Sequence, residues 1–257
     1  MNDPFSPSPA GKPNFFLLGA GRCGTTTLHS MLQQHPEIFM SPVKEPSFFC
    51  SYFQVVKNPV TYFQLFNPAK GEKAIGEASH VYLSNPESAP VIHQLFPEAK
   101  FILIFRNPAE RAYSLYNFMR AARFESLETF EQAVEAEDHR FADPEFFRNC
   151  PQYFWNYMYL RSSCYDAQWQ RYLRFFPRSR FLPLSLHELT TDPSLWTKRI
   201  YEFLGVDNGF SPSFDRLNAV SYPTMLAATK VKLDGYFREV ISRTEEIAGR
   251  DMNLRQT

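Results

Sequence analysis

The segment GAGRCGTTTL, Gly19 to Leu28, constrains the fold more than any other feature of this 257-residue chain. It follows the apolar run Phe15 to Leu18, and from Thr25 onward Leu28, Met31 and Leu32 fall at helical spacing. A short buried strand therefore passes through a glycine-rich turn directly into a helix. Such a turn gathers backbone N–H groups and the positive end of the helix dipole at one point, which makes an anion site. The chain has 20 prolines and only 10 glycines, so the grouping of Gly19, Gly21 and Gly24 is not a by-product of composition.

The alternation recurs. VIHQLFPEAKFILIFRNP and WQRYLRFFPRSRFLPLSLHEL each read as a helix, a Phe-Pro stop, a polar turn and an apolar strand. Alternating helices and strands predict a three-layer α/β fold around a central parallel sheet. Pro183, inside the last of these strands, predicts an edge strand or a bulge because proline cannot donate to the ladder. Residues 1–14 carry four prolines and read as a disordered N-terminal tail, leaving 15–257 as a single domain, against roughly 100 to 200 residues for an ordinary one. The acidic stretch Phe124 to Phe147, with Leu127, Phe130 and Val134 as its apolar stripe, predicts a solvated surface helix, and Leu226 to Gly249 reads as helical.

Lys+Arg and Asp+Glu are 27 each, which disfavours a general nucleic-acid binder. Cys23, Cys50, Cys150 and Cys164 show neither CxxC spacing nor close histidine partners, so neither a zinc site nor a disulfide framework is expected, and no metal ligand set is assigned. No apolar run approaches the ~20 residues that span a bilayer, and the N-terminus lacks a signal pattern, so the expectation is a soluble, cytoplasmic protein without stable membrane insertion. With 26 Phe and 13 Tyr the chain has ample material for a core.

The glycine loop admits several chemistries. As GxGxxG it is a dinucleotide fingerprint, but the acid required ~20 residues on would be Glu37 or Glu45, which flank a proline-containing segment and not a clear strand. As GxxxxG followed by Thr25 and Thr26 it resembles a P-loop, and Thr27 extends the run. A Walker loop needs Lys after the last glycine, where Thr25 stands, and a metal-holding Asp where FILIF instead ends in Arg106. The cation has moved to Arg22. An empty structural turn, a nucleotide kinase or NTPase, and a non-catalytic nucleotide-binding protein all remain compatible with these residues.

RCGTTTL resembles the 5'-phosphosulfate loop of sulfotransferases that use 3'-phosphoadenosine 5'-phosphosulfate, and RNPAERAYSLY (Arg106 to Tyr116) resembles the same family's 3'-phosphate motif. The resemblance extends from about Phe15 to Asp251 and implies a P-loop NTPase-like topology, with a sulfotransferase releasing adenosine 3',5'-bisphosphate. It implies donor contacts from Arg22, Cys23, Gly24, Thr25, Thr26 and Thr27 at the phosphosulfate and from Arg106 and Ser114 at the 3'-phosphate. Arg111 is expected to form a salt bridge on its helix.

HPEIFMSPVKEPSFF (His35 to Phe49) resembles the glycan-sulfating branch, whose catalytic base matches Glu45. His80 stands where relatives often have proline, and it follows the expected strand KAIGEAS at the sheet end where ligands collect, which makes it the second candidate for the base. Sulfuryl transfer asks for alignment and charge stabilisation, here from Arg22 and the loop amides, and does not require a metal. The acceptor is expected to be a small molecule or glycan bearing a hydroxyl, or an amine, and the aromatic stretch after Glu45 is either its pocket or core.

Overall fold

A computed structural model describes residues 11–214 and 222–256. Its strands are β1 (Phe15–Gly19), β2 (Ile38–Met40), β3 (Ala74–Ala78), β4 (Lys100–Phe105) and β5 (Phe181–Ser185). They form one five-stranded sheet in the order β2-β3-β1-β4-β5, with every neighbouring pair parallel. Consecutive residues of β1 and β3 are all buried, so helices cover both faces of the sheet. This is the three-layer α/β architecture, and β1 lies at its centre.

Pro183 lies on β5, the edge strand, where its missing N–H breaks no ladder. One strand goes beyond expectation. Ile38–Met40 pairs with Ala74–Gly76, so β2 is supplied by register against β3 where the local sequence showed no clear strand. The core is aromatic: Phe16 packs on Phe49, Phe96 and Phe101, and Phe101 stacks on Phe181 at 5.0 Å.

Residues 1–10 of the expected tail lie outside the described residues. Its last residue, Asn14, is tied into the sheet. The Asn14 N–H donates to Ile75 O (2.7 Å), its carbonyl accepts from Lys100 N–H (2.9 Å), and its side chain bonds Ile75 N–H and Lys73 O. The acidic stretch is not one solvated helix. It breaks into the short helices Phe130–Glu135, Glu137–Ala142 and Pro144–Asn149, because Glu125 and Glu137 point inward to satisfy buried donors. The C-terminal stretch forms two helices, Ala227–Tyr236 and Arg238–Ala248. Among the described residues no helix is long and apolar enough to cross a membrane.

Glu77 stands fully buried in β3 and accepts from Tyr62 Oη (2.7 Å), Ser79 Oγ (2.8 Å) and Tyr82 Oη (3.1 Å). Burial pushes its pKa up to about 7, against the opposing pull of those hydrogen bonds. The folded state thus retains a proton that the unfolded chain releases above its ordinary value of 4.5. Stability is expected to fall between that value and about 7, by up to roughly 3 kcal/mol, and Glu77→Gln should flatten this dependence. Urea midpoints at several pH values read the effect; an unchanged slope in the variant would remove Glu77 as its source.

Candidate functional site

β1 lies between β3 and β4, with the chain passing from β1 to β2 on one side and from β3 to β4 on the other, so the turn after Gly19 opens into the crevice at the carboxyl ends of the strands. Ala20 N–H donates to Ile104 O (2.7 Å) and Cys23 N–H to Ala20 O (3.2 Å), which closes a tight loop. Gly24 holds a φ of 91° as the helix Thr25–Gln33 begins, and no side chain caps that helix end. Arg22 holds a φ of 68°, a left-handed backbone that a long side chain adopts only when its surroundings impose it.

The loop residues divide by burial. Thr25 and Thr27 are buried, whereas Thr26 is partly exposed at the crevice. Cys23 is fully buried with its thiol 3.7 Å from Tyr165 Oη, and burial raises its pKa; its side chain serves the packing beneath the loop. Tyr165 in turn stacks on Phe105 at 4.6 Å, joining the loop floor to β4.

The second motif lies on the same crevice. Arg106 follows β4, and Asn107 caps the helix Pro108–Ala121 by accepting from Ala109 N–H and Glu110 N–H. Arg106 reaches Glu110 at 3.4 Å and lines a cavity of about 150 Å³ with Asn107, Ser185, His187, Thr190, Asn253 and Gln256. Ser114, two turns into the helix, is buried and accepts from Arg22 Nε at 3.4 Å. The Arg22 guanidinium also lies over the Phe118 ring at 5.0 Å, and Phe118 follows Ser114 by one helical turn. Burial lowers the Arg22 pKa, Tyr222 opposes this, and Arg106 and Arg111 lower it further. Three arginines thus concentrate positive potential at one point.

Arg111 corrects the expectation of a helix-surface salt bridge. It is buried and donates through Nε to Gly21 O (3.1 Å), and through Nη1 to Ser162 Oγ and to Ser163 Oγ (3.0 Å). It therefore pins the glycine loop to the segment Arg161–Ser163, a role in which lysine could not reach three acceptors from one planar group.

Glu45 and His80 meet at the other lip. Glu45 has a φ of 62° and its N–H donates to Ala78 O (2.8 Å), while Ser47 N–H donates to Ser79 Oγ (3.1 Å), so the loop is fastened to the end of β3. Glu45 Oε2 accepts from the His80 N–H and faces His80 Nδ1, both at 2.8 Å; Oε1 takes Lys44 Nζ at 2.5 Å. Burial alone would raise the carboxyl pKa, but His80 and Lys44 outweigh it and hold Glu45 at about 2. The His80 ring packs over Gly21, where an ideal Cβ would come within 2.6 Å of His80 Cδ2. Only glycine fits beneath the imidazole.

All the residues singled out in sequence therefore fall around one crevice, with Cys23, Thr25 and Thr27 turned into the protein. The reading of the sequence missed Arg111, Phe118 and the Ser79–Ser47 tie. Arg111 carried one usable signal, since an arginine on the buried face of a helix that follows an apolar strand seldom lacks internal acceptors. The aromatic stretch after Glu45 is mainly core, with Phe49, Tyr62 and Phe66 buried, though Phe48 and Phe49 also line a cavity of about 510 Å³ with Ser51 and Glu87. His35 is structural, bonding Asp207 O and Glu37 N–H. Among the described residues no cluster of three or more His, Cys, Asp or Glu is placed to hold a metal ion.

Comparison with known proteins agrees with this geometry. The family model of the sulfotransferase domain matches residues 12–232. A solved sulfotransferase from Alicyclobacillus acidocaldarius superposes with a TM-score of 0.83 at 30% identity, covering 96% of this chain and 100% of that one. The bifunctional heparan sulfate N-deacetylase/N-sulfotransferase 2 of Bos taurus is 26% identical over 264 residues, covering 88% of this chain and 28% of its own length. Mouse sulfotransferase SULT7A1, solved in complex with PAP, shares the fold at a TM-score of 0.58 and 15% identity, covering 93% of this chain and 87% of its own. The chain spans about a quarter of the length of the first curated relatives it matches.

Proposed function

This chain belongs to the sulfotransferase domain family, transferases that draw on 3'-phosphoadenosine 5'-phosphosulfate, and on that premise we propose that its crevice passes the sulfuryl group of this donor to a hydroxyl or amine acceptor. The observation that carries the reading is the hydrogen bond of Arg22 Nε to Ser114 Oγ, which joins two anion motifs 92 residues apart in sequence. A donor with a phosphosulfate at one end of its ribose and a phosphate at the other needs two such sites side by side.

Arg22 and the amides at the start of the helix Thr25–Gln33 meet the charge that moves onto the leaving phosphate oxygen. Arg106 offers its planar fork to the 3'-phosphate, and Ser114, on the helix that follows it, adds a hydroxyl. Arg111 holds Gly21 so that the loop amides keep their aim. The curated relatives carry heparan sulfate and carbohydrate in their names, so glycan alcohols and amines are the first acceptors to try, followed by small alcohols and phenols.

The test compares ligands by calorimetry. Adenosine 3',5'-bisphosphate should bind more tightly than AMP, and than ATP with magnesium or NAD; preference for either of the last two would sink the reading. Arg106→Ala should weaken the bisphosphate by roughly 1.5 to 3 kcal/mol, the loss expected for a charged hydrogen bond, and leave AMP nearly unchanged. Equal losses for the two ligands would remove Arg106 from the 3'-phosphate.

A further inference from the structure

We propose that residues 250–256 form the far wall of the 3'-phosphate site, where the side-chain amides of Asn253 and Gln256 donate to phosphate oxygens that Arg106 leaves free. The inference rests on the sulfuryl-transfer reading above and adds two donor-binding residues to it.

The first support is the path of the chain. The helix Arg238–Ala248 stops at Gly249, which has a φ of 71°, and the segment then returns across β5. Met252 and Leu254 are fully buried, while Asp251, Asn253 and Arg255 between and beside them are exposed. Two apolar pegs thus fix which way the intervening residue faces. Asn253 holds a φ of 55°, a left-handed backbone that asparagine adopts more readily than most residues.

The second support is the fastening. Arg250 forks onto Glu188 through Nη1 and Nη2, donates to Pro183 O (3.0 Å) and Asp251 O (2.9 Å), and lies over the Trp196 ring at 4.9 Å. Arg178 donates to Ile247 O (2.9 Å) and Ala248 O (3.0 Å) just upstream. Chain ends fray unless they are tied down, and this one is tied by two arginines. Glu188 also takes the Ser185 N–H (2.8 Å) at the start of the helix Leu186–Thr191, so one ion pair sets the segment against the helix that carries His187.

The third support is the cavity between them, about 150 Å³, which Arg106 shares with His187, Asn253 and Gln256. That is below the roughly 300 Å³ at which cavities begin to hold a whole small molecule, and it suits one group of a ligand. Among the described residues that line it none is acidic, which suits an anion. Several of its polar groups are already engaged: Asn107 caps its helix, Ser185 Oγ accepts from Glu188 N–H, and Thr190 Oγ1 donates to Leu186 O. Asn253 and Gln256 use their backbones instead, Asn253 N–H donating to Asp251 Oδ1 (2.7 Å) and Gln256 N–H to Asn253 O (3.0 Å); among the described residues their side-chain amides have no partner. A phosphate dianion presents three terminal oxygens. One planar guanidinium that already gives an N–H to Glu110 (3.4 Å) cannot reach them all, and neutral amides on the opposite wall complete the set.

Calorimetry on the full chain with adenosine 3',5'-bisphosphate and with AMP tests the wall. Asn253→Asp and Gln256→Glu keep the side-chain shape at exposed positions and put a carboxylate where the amide stood. Each should weaken the bisphosphate by about ten- to a hundredfold, the loss expected for a hydrogen bond to a charged group, and AMP by less than about twofold. Arg255→Gln is the charge-matched control, since it removes one positive charge from the same segment at a residue that holds Glu245 (3.0 Å) and lies off the cavity. It should move neither ligand by more than about twofold. A loss in Arg255→Gln as large as that in Asn253→Asp would reduce the effect to distant charge and overturn the proposal. Equal losses for bisphosphate and AMP, or unchanged bisphosphate affinity in the two carboxylate variants, would overturn it as well. A wild-type chain that binds no bisphosphate would defeat the sulfotransferase reading itself, whereas unchanged binding in the variants defeats the wall alone.

Discussion

Replacing Arg22 by alanine is expected to cut turnover by roughly 10²- to 10³-fold, the size of loss seen when one preorganised donor to a developing anion is removed. The side chain is the single cation of the glycine loop, and it is preorganised twice, by the bond to Ser114 Oγ and by the Phe118 ring. Its pKa is lowered chiefly by burial, which describes a charge kept short of solvent until an anion meets it. Most of the effect should fall on kcat, because the charge on the leaving oxygen grows in the transition state. Arg22→Lys should recover part of it, since lysine restores charge without the fork. Steady-state kinetics of the two variants checks this, and an alanine variant that keeps kcat and loses only donor affinity would make Arg22 a binding residue alone.

Glu125→Ala should destabilise the fold by about 3 to 5 kcal/mol, the cost of stranding one partner of a buried ion pair. Its side chain is fully buried and grips Arg140 with two bonds, Nη1 to Oε2 at 2.7 Å and Nη2 to Oε1 at 2.8 Å. The same carboxylate accepts from Tyr159 Oη and from Leu127 N–H, so its removal also orphans a phenol and an amide. Arg140 lies over Phe146 and Tyr157, which hold its guanidinium at the carboxylate. The double variant Glu125→Leu with Arg140→Met should regain much of the loss, because two apolar groups leave no uncompensated charge. Urea unfolding of the set measures the coupling. Additive losses in the double variant would show that the pair does not act as a unit.

The parts of this protein that were legible in the sequence are those written in neighbouring residues. Continuous apolar runs such as FFLLG and FILIF announced strands buried on both faces, and Pro-bounded helices between them announced parallel crossovers. The glycine loop and the Arg106 motif were legible for the same reason: an anion site at the start of a helix is built by consecutive residues. The proline in β5 limited that strand to an edge or a bulge, and the sheet order gives the edge.

The tertiary structure decided what depends on groups brought together from far along the chain. Glu125 and Glu137 read as solvent-facing charges until Arg140, Tyr159 and the amides of Leu160 and Arg161 supply buried donors for them. Strand β2 exists because β3, more than thirty residues later, offers a free edge to pair with. Arg111 reads in the sequence as a salt bridge on its own helix and is instead a brace, because its acceptors come from the loop 90 residues before it and a turn about 50 residues after it. Glu45 and His80 were separate candidates in the sequence, 35 residues apart; folding puts an imidazole nitrogen 2.8 Å from a carboxylate oxygen. A local pattern records whether a side chain faces the core or water, but a hydrogen bond between distant residues depends on how the crossovers are laid over the sheet, and no run of adjacent residues carries that information.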